Sequence, residues 1–367
     1  MATPLDKKSK VRIDMIKRAT REISSSMAND SMIILRSTVK VGTTNTIVKS
    51  ILAKSNKKFM LAFCPERTLE GDALAELEKL PQIISGIDKR SLIRAEKIFQ
   101  EITSTTVKVS TVETAEMIKL VDNTSRDLMF AYSNEIAKLS DKFGSNMSEI
   151  VKAGKKDYPR TNIPMPGPVG GPCLSKDAYI LKESAKKIKV IPTIIMNGRK
   201  LNESQPNYVV RLIKNLSINK RWKKDLKISI LGLAFKGVPE TDDLRGTMAI
   251  PLIKAIRKEY PGSKIYGYDS LVSETNFKIL GINYAKSISS AMKDSSIVII
   301  ANNHPDFERF NITKNTNLMK KSSIVYDFWN TMDYNKTNFS EDVHYFSLGN
   351  YKLCSDMLDE YSKNKLS

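Results

Sequence analysis

The chain has 367 residues, of which 41% are hydrophobic and 27% charged, a composition typical of a globular protein with two or three domains. No apolar run approaches the roughly 18 residues that span a bilayer, and the N-terminus has no signal-peptide pattern, so we expect a cytoplasmic protein without a membrane partner. Three widely spaced cysteines and only two histidines argue against a disulfide framework, a metal site and histidine-based catalysis.

The net charge of +19 would suit a nucleic-acid binder, but the 59 Lys and Arg residues are spread along the chain. No aromatic residues interleave with a basic block, so we expect no nucleic-acid partner. An anionic small substrate such as a nucleotide diphosphate would also be attracted to this surface.

The first third of the chain has the strand, turn and helix pattern of an α/β protein. The segment "MIILRSTVKVGTT" from Met32 is a short apolar run followed by a glycine turn and a helical stretch over 46–53. Phe59–Phe63 predicts a buried strand, and Glu66 falls just beyond its carboxyl end, the edge where open parallel sheets bind ligands. Two more strands are predicted over 82–88 and 105–111, around a helix over 91–102.

Residues 111–143 form the longest helical pattern in the chain, without Gly or Pro. Its apolar stripe, which would suit a dimer seam, consists of Met117, Val121, Leu128, Tyr132 and Leu139. Lys119, Asn123 and Arg126 lie on nearly the opposite face. These polar residues fit either a solvated face behind a packing seam or a functional surface.

The segment "PMPGPVGGPCLSKDAY" (164–179) places Cys173 after a run of prolines and glycines, which exclude a helix or a central strand. The thiol is therefore predicted to lie on a loop, where reacting groups often sit. A nucleophile and a small buried side chain under a rigid turn both fit these residues. A helix is predicted to continue from Ala178, and the polar stretch Asn197–Asn207 to end the middle region.

The last part of the chain predicts a second doubly wound α/β unit. Ile228–Leu231 forms a strand that leads into Gly232 and Lys236. Thr241–Asp243 offers cap residues for the helix that carries 250–256. Three further strands are predicted in "KIYGYD", "SIVIIANNH" and "SIVYDFWN".

Five sequence blocks occur in order along the chain: "STVKVGTT" (37–44), "CPERTLEG" (64–71), "TAEMIKLVDNTSRD" (114–127), "PGPVGGPCLSKDAY" (166–179) and "LGLAFKGVPETDDLRG" (231–246). Together they closely resemble the UDP-glucose/GDP-mannose dehydrogenase family of nucleotide-sugar 6-dehydrogenases. The resemblance implies three parts of an α/β fold: an incomplete N-terminal Rossmann domain for NAD (1–108), a central helical domain with the cysteine loop (109–205), and a C-terminal Rossmann-like UDP-sugar-binding domain (206–367). It also implies a homodimer through the 111–143 helix.

The resemblance implies the four-electron oxidation of the C6 hydroxyl of a nucleotide-linked hexose to a carboxylate with two NAD⁺, for polysaccharide or glycan synthesis. Cys173 matches the family nucleophile, which forms a thiohemiacetal and then a thioester. Lys119 and Asn123 match residues that stabilise the oxyanion, and Asp177 matches the carboxylate near the hydrolytic water.

Other matched positions surround the hydride-transfer site. Thr38, Glu66 and Glu70 match family residues there, although the two glutamates also fit the alternative of surface carboxylates after a strand. Positions that contact the cofactor in the family are matched by Thr3, Pro4, Thr38 and Arg245.

The substrate positions favour a UDP-N-acetylhexosamine, either UDP-N-acetylglucosamine or UDP-N-acetylmannosamine. Arg67 in "PER" and Arg126 in "NTxRD" resemble that branch. A planar donor such as arginine also suits an amide carbonyl or a phosphate. Glu70 resembles the glucose and mannose branches, so UDP-glucose is the alternative substrate. Arg160 resembles an arginine that reaches the substrate of a neighbouring subunit. The remaining matched substrate positions are Gly167, Gly170 and Lys236.

The chain also departs from the family pattern. Relatives begin with a strand and a GxGxxG turn that holds the cofactor pyrophosphate, whereas here "ATPLD" (2–6) resembles a strand end from the second half of that domain. We therefore expect an N-terminally truncated chain that binds NAD⁺ weakly or not at all, explained by a truncated gene, a misassigned start codon or a second polypeptide.

The alternative function is then an inactive remnant that still binds UDP-sugar or dimerises. Two smaller departures are Pro172, where many relatives carry a polar residue, and Trp329, where an arginine is usual.

Overall fold

The computed structural model describes residues 3–6, 9–217, 222, 225–309, 315–332, 340 and 342–350. The chain divides into two compact units, here called the first unit (Met1–Arg126 with Lys176–Met196) and the second unit (Asp127–Ser175 with Asn197–Ser367). Within the described residues, no helix has the length and apolar character needed to cross a membrane. The three-domain division predicted from the sequence stays a prediction.

The first unit contains a four-stranded sheet with the strand order β1-β2-β3-β4. Its strands are β1 (Ser31–Leu35), β2 (Phe59–Phe63), β3 (Gln82–Gly86) and β4 (Thr106–Lys108), and all four were predicted. β1 and β2 are parallel, as are β3 and β4, but β2 and β3 run antiparallel. An apolar run indicates a strand without recording its direction, so this reversal was not predicted.

Helices cover both faces of this sheet. They are α1 (Asp14–Ser26) and α2 (Lys49–Leu52), the latter after a π-helical turn (Thr44–Val48), and α4 (Lys89–Gln100). The helix α3 (Ala73–Lys79) has no buried residue. Because successive side chains of a strand point to opposite faces, Leu61 and Phe63 of β2 enter one core and Ala62 enters another. Burial on both faces explains why β2 is a continuous apolar run.

Four helices form the middle of the sequence: α5 (Val112–Phe143), α6 (Met147–Lys155), α7 (Gly171–Lys186) and α8 (Thr193–Leu216). α7 begins at Gly171 and therefore includes Cys173, so the prediction of a loop at the thiol is wrong. Pro172 is tolerated because the first helical turn has no intrahelical partner for its backbone nitrogen.

The polar stretch Asn197–Asn207 does not end the middle region either, because it lies inside α8. Arg199, Asn202 and Gln205 of this stretch are fully buried. Their polarity therefore belongs to hydrogen bonds inside the protein and does not indicate an exposed loop.

The second unit contains a six-stranded, all-parallel sheet with the strand order β10-β9-β8-β5-β6-β7. Its strands are β5 (Lys227–Leu231), β6 (Lys264–Tyr268), β7 (Asn283–Tyr284), β8 (Ile297–Ile300), β9 (Ser323–Asp327) and β10 (Val343–Ser347). Its shorter helices are α9 (Ala249–Glu259), α10 (Glu274–Leu280), α11 (Ile288–Met292) and α12 (Pro305–Arg309). The predicted second doubly wound α/β unit is thus confirmed.

Three details of this unit differ from the prediction. β7 and β10 were missed; β7 has only two residues, both exposed, and so leaves no apolar run. Thr241–Asp243 does not cap α9, which begins at Ala249 after Met248. The Asp243 carboxylate instead accepts hydrogen bonds from the backbone and side chain of Arg245.

Candidate active site

The predicted polar face of α5 contains residues in different environments. Asn123 is 5% exposed, whereas Lys119 is half-buried and Arg126 is exposed. Asn123 Nδ2 donates a hydrogen bond to Asp177 Oδ2 at 2.5 Å. The three residues therefore do not form one solvated face, and the buried amide has a specific carboxylate partner.

Asp177 of α7 is fully buried. Its Oδ1 accepts a hydrogen bond from Lys176 Nζ at 2.7 Å, while its Oδ2 is bound by Asn123. Two N–H donors, one of them cationic, fix the orientation of this carboxylate. Cys173, a half-buried free thiol, lies four residues earlier on the same helix, which is about one turn.

The segment Pro164–Gly170, ahead of α7 in the second unit, makes close backbone approaches at its glycines. A Cβ at Gly167 would lie 2.7 Å from the ring of Trp329, and a Cβ at Gly170 would collide with the carbonyl oxygen of Gly246. Trp329, noted as a departure from the family pattern, thus packs directly on this segment. Neither position leaves space for a side chain.

Two predicted residues lie beyond the carboxyl ends of the paired parallel strands β1 and β2, and hence at the same sheet edge. Thr38 follows β1 and Glu66 follows β2, and both are half-buried. Glu66 Oε2 pairs with Arg36 Nη2 at 2.6 Å, and its Oε1 accepts from the Thr68 backbone N–H at 2.9 Å. Partial burial alone would raise the pKa of Glu66, but these two partners together lower it below its usual value.

The predicted substrate arginine of the first unit is paired to α5. Arg67 Nε lies 3.0 Å from Asp122 Oδ2, at an exposed ion pair one residue before Asn123. Glu70, three residues further along the same loop, is half-buried.

The predicted substrate and cofactor cations of the second unit lie in separate segments. Arg160 is exposed, with its guanidinium 4.5 Å from the centre of the Tyr158 ring. Lys236 is half-buried after β5, 5.4 Å from the centre of the Phe235 ring. Arg245 is exposed and pairs with Asp243 at 2.7 Å.

Two of the predicted cofactor positions, Thr3 and Pro4, lie near the start of the chain. Thr3 is 2% exposed, and its Oγ1 has no hydrogen-bond partner among the residues that the structure describes. A buried hydroxyl without a partner fits a position that contacts a bound group such as NAD. Pro4 is half-buried, and its carbonyl accepts from Arg12 N–H at 2.9 Å. The sequence has no GxGxxG turn.

Sequence reasoning missed Glu116, which lies on the same side of α5 as Lys119 and Asn123. The side chain is 1% exposed, and its carboxylate accepts from Gly42 N–H at 2.5 Å and from Thr44 N–H at 2.8 Å and Oγ1 at 2.6 Å. Burial raises the pKa of Glu116 against the effect of these bonds. Its spacing of three and seven residues from Lys119 and Asn123 was the only signal in the sequence.

The described site thus combines a half-buried thiol with a buried carboxylate one helical turn later, in a chain with two α/β units. Comparison with known proteins defines the class. The NAD binding domain, central domain and UDP binding domain of the UDP-glucose/GDP-mannose dehydrogenase family match residues 1–103, 113–204 and 229–334. The chain belongs to this family. It is an NAD-dependent nucleotide-sugar dehydrogenase, with NAD as its cofactor.

Individual relatives agree with this assignment. The UDP-N-acetyl-D-mannosamine dehydrogenase of Methanocaldococcus jannaschii is 32% identical over 332 residues, which cover 89% of this chain and 73% of that protein. The enzyme of the same name from Campylobacter jejuni is 32% identical over 317 residues, 80% of this chain and 74% of that protein. The solved structure of UDP-D-ManNAc dehydrogenase from Pyrococcus horikoshii matches with a TM-score of 0.84 and 27% identity, over 96% of this chain and 80% of that one.

Proposed function

We propose that this dehydrogenase oxidises the C6 hydroxyl of a UDP-N-acetylhexosamine to the uronate through a thioester on Cys173. In sum, one primary alcohol, two NAD⁺ and one water give one carboxylate, two NADH and three protons. The observation that carries the proposal is the buried Asp177 carboxylate, held by Asn123 one helical turn after the thiol. The names of the relatives support an N-acetylated substrate.

The chemistry divides among the residues of this chain. When NAD is bound, it accepts the hydride that leaves C6 in each oxidation. The thiolate of Cys173 adds to the aldehyde carbon, and Lys119 and Asn123 stabilise the oxyanion that forms. Loss of the second hydride leaves a thioester. Water then adds to the thioester carbon beside Asp177, the C–S bond breaks, and the thiolate is restored.

The environment of each carboxylate limits its role. Both oxygens of Asp177 accept hydrogen bonds from N–H donors, so the carboxylate is held in a fixed position, and we assign it to orienting the hydrolytic water. Glu66 has a lowered pKa and remains a carboxylate near neutral pH, where it can accept a hydrogen bond from water or substrate. We assign Thr38 and Glu70 to the same sheet edge, beside the hydride-transfer position.

The substrate-binding residues follow from charge and geometry. Arg67 and Arg126 supply planar donors for the N-acetyl carbonyl or a phosphate. Gly167 and Gly170 let the segment before α7 pack against Trp329 and the Gly246 carbonyl, and we assign this packed backbone to the sugar nucleotide. Lys236 supplies a further cation near the end of β5. Arg245 is assigned to the cofactor.

The proposal includes a homodimer that packs along α5. Met117, Val121, Tyr132 and Leu139 of the predicted stripe are 40–52% exposed, which leaves a long apolar surface on this helix. In such a dimer Arg160 would serve the neighbouring subunit. The cytoplasmic location and the role in polysaccharide or glycan synthesis likewise stay predictions.

A steady-state assay tests the proposal. Purified protein is given NAD⁺ with UDP-N-acetylmannosamine, UDP-N-acetylglucosamine or UDP-glucose, and NADH and uronate are both measured. We expect two NADH for each uronate with an N-acetylated substrate, and none of either product from Cys173→Ala. The matched control is Cys64→Ala, a buried cysteine at the end of β2, which should keep activity.

The other outcomes are informative. Uronate formation by Cys173→Ala at the wild-type rate would overturn the covalent mechanism. A preference for UDP-glucose would overturn the substrate assignment, and no NADH with any sugar would favour the inactive remnant.

A further inference from the structure

The segment between α6 and α7 has no regular secondary structure, yet side chains of α5 and α8 bind its backbone. Ser133 Oγ donates to the carbonyl of Pro164 at 2.6 Å. Asn134 accepts from the Gly167 N–H at 2.9 Å and donates to the Gly167 carbonyl at 3.0 Å. A buried backbone needs such partners, and these two come from the part of α5 that belongs to the second unit.

Arg199 of α8 binds two backbone carbonyls close to Cys173 in the sequence. Its side chain is fully buried, and Nη2 donates to the carbonyl of Val169 at 3.0 Å while Nη1 donates to the carbonyl of Leu174 at 3.1 Å. These two carbonyls lie on either side of Cys173 in the sequence. One guanidinium thus joins the end of the loop to the first turn of α7.

The charge of Arg199 is compensated inside the protein. Nη1 also pairs with Asp127 Oδ1 at 2.8 Å, and Asn202 Nδ2 donates to the same oxygen at 2.8 Å. Burial raises the pKa of Asp127 even though Arg199 and Asn202 act in the opposite direction. A desolvated pair of this kind contributes little net stability compared with apolar residues, so its value lies in the geometry it imposes.

The same hydrogen-bond network reaches the segment Pro164–Gly170 that precedes α7. Asn134 Nδ2 donates to Asn202 Oδ1 at 2.9 Å, so the amide that holds Gly167 is continuous with the residues that hold Asp127 and Arg199. Movement of Arg199 would therefore disturb both ends of the segment that precedes Cys173.

We propose that Arg199 is a positioning residue that fixes Val169–Leu174 and thereby the direction in which the Cys173 thiol is presented. The inference rests on the proposed role of Cys173 as the nucleophile. Arg199 itself touches neither substrate nor cofactor in this account. It acts only through the two carbonyls that it binds.

Two variants separate positioning from stability. Arg199→Lys keeps a positive charge beside Asp127, but its single nitrogen lacks the two separated Nη atoms that reach both carbonyls. The double variant Arg199→Met with Asp127→Asn removes both charges, so that no lone buried charge remains. The matched control is Arg211→Lys, the same substitution at an exposed arginine of α8.

The measurement is the alkylation rate of each cysteine by iodoacetamide, followed by peptide mass spectrometry, together with kcat and KM. Cys64 is fully buried in the first unit and reports unfolding there, and urea denaturation of each variant reports loss of stability in the second unit. For both variants we expect the Cys173 alkylation rate to change at least about five-fold while Cys64 stays protected. We expect kcat to fall about ten- to a hundred-fold, with KM for NAD⁺ within about two-fold of wild type.

Three results bear on the inference. Wild-type Cys173 alkylation and kcat in a folded double variant would overturn it. Exposure of Cys64 at the same rate as Cys173 in both variants would also overturn it, because Arg199 would then serve stability alone. Uronate formation by Cys173→Ala would instead overturn the proposed function, and the alkylation data would still show whether Arg199 orders the segment.

Discussion

At the scale of single residues, two carboxylates of the candidate site have opposite electrostatic situations. Glu66 is held by Arg36 and the Thr68 N–H, which lower its pKa, whereas burial raises the pKa of Glu116. The first suits a group that stays charged at a sheet edge. The raised pKa of Glu116 suits a buried structural carboxylate that relies on the hydrogen bonds from Gly42 and Thr44.

The lowered pKa of Glu66 predicts how activity depends on pH. Glu66 should stay ionised to a lower pH than a free glutamate, and replacing Arg36 with Gln should raise its pKa and move the acid limb of the kcat profile upward. The stability that this pair contributes is present above the unfolded-state pKa and is lost as pH falls through the folded-state value. A pH–rate profile measures the shift.

The control for this prediction is Arg90→Gln, which removes another exposed ion pair of the first unit, with Asp30 at 2.8 Å. An acid limb that does not move in Arg36→Gln would show that Glu66 takes no part in the pH dependence.

At the scale of elements, α5 is tied to the turn after β1 by Glu116. Replacing Glu116 with Gln turns one acceptor oxygen into an N–H group that faces backbone N–H donors. We expect the free energy of unfolding to fall by about 2 kcal/mol, measured by urea denaturation. Glu113→Gln, one turn earlier with a single bond to Asn45 at 2.7 Å, should cost under about 1 kcal/mol. Equal losses in the two variants would contradict this account of Glu116.

The segment before α7 gives a second prediction at this scale. Gly167→Ala would place a methyl group 2.7 Å from the Trp329 ring, so the segment must shift. We expect KM for the nucleotide sugar to rise about ten-fold or more in a folded protein. Gly154→Ala in α6, where a Cβ meets only Thr161 at 3.7 Å, is the control and should leave KM unchanged. Unchanged KM in Gly167→Ala would remove this segment from the substrate site.

At the scale of the whole molecule, the proposed dimer predicts a mass of about twice 41.3 kDa in solution. Tyr132→Glu with Leu139→Glu places two charges on the exposed stripe of α5 and should yield monomers by light scattering. Ile279→Glu in α10, which is 76% exposed on another helix, should leave the mass unchanged. Dimers that persist in the α5 double variant would place the interface elsewhere.

The strands and helices that were predicted correctly are those whose local residue pattern follows from burial. Strands such as β2 are apolar runs because both of their faces are covered, and α5 is a long stretch without helix breakers. The start of α7 was missed because proline and glycine disfavour helices in general but are tolerated in the first turn.

The hydrogen bonds that Arg199 and Asn202 of α8 make with distant residues were missed for a different reason. A polar side chain in a sequence gives no sign of whether its partner is water or a distant residue. The carboxylate partner of Arg199, Asp127, is 72 residues away, and the carboxylate partner of Asn123, Asp177, is 54 residues away. Residue types and family blocks located the candidate site, but only the fold shows which of its polar groups are buried together.

The central claim is that a sugar carbon becomes covalently bound to Cys173 during turnover. Replacing Asp177 with Asn should slow hydrolysis, so that intact-protein mass spectrometry with NAD⁺ and a UDP-N-acetylhexosamine detects an adduct. Its mass should equal that of the substrate less the hydrogens removed in two oxidations, and peptide mapping should place it on Cys173. NADH production by this variant with an unmodified Cys173 throughout would contradict the account.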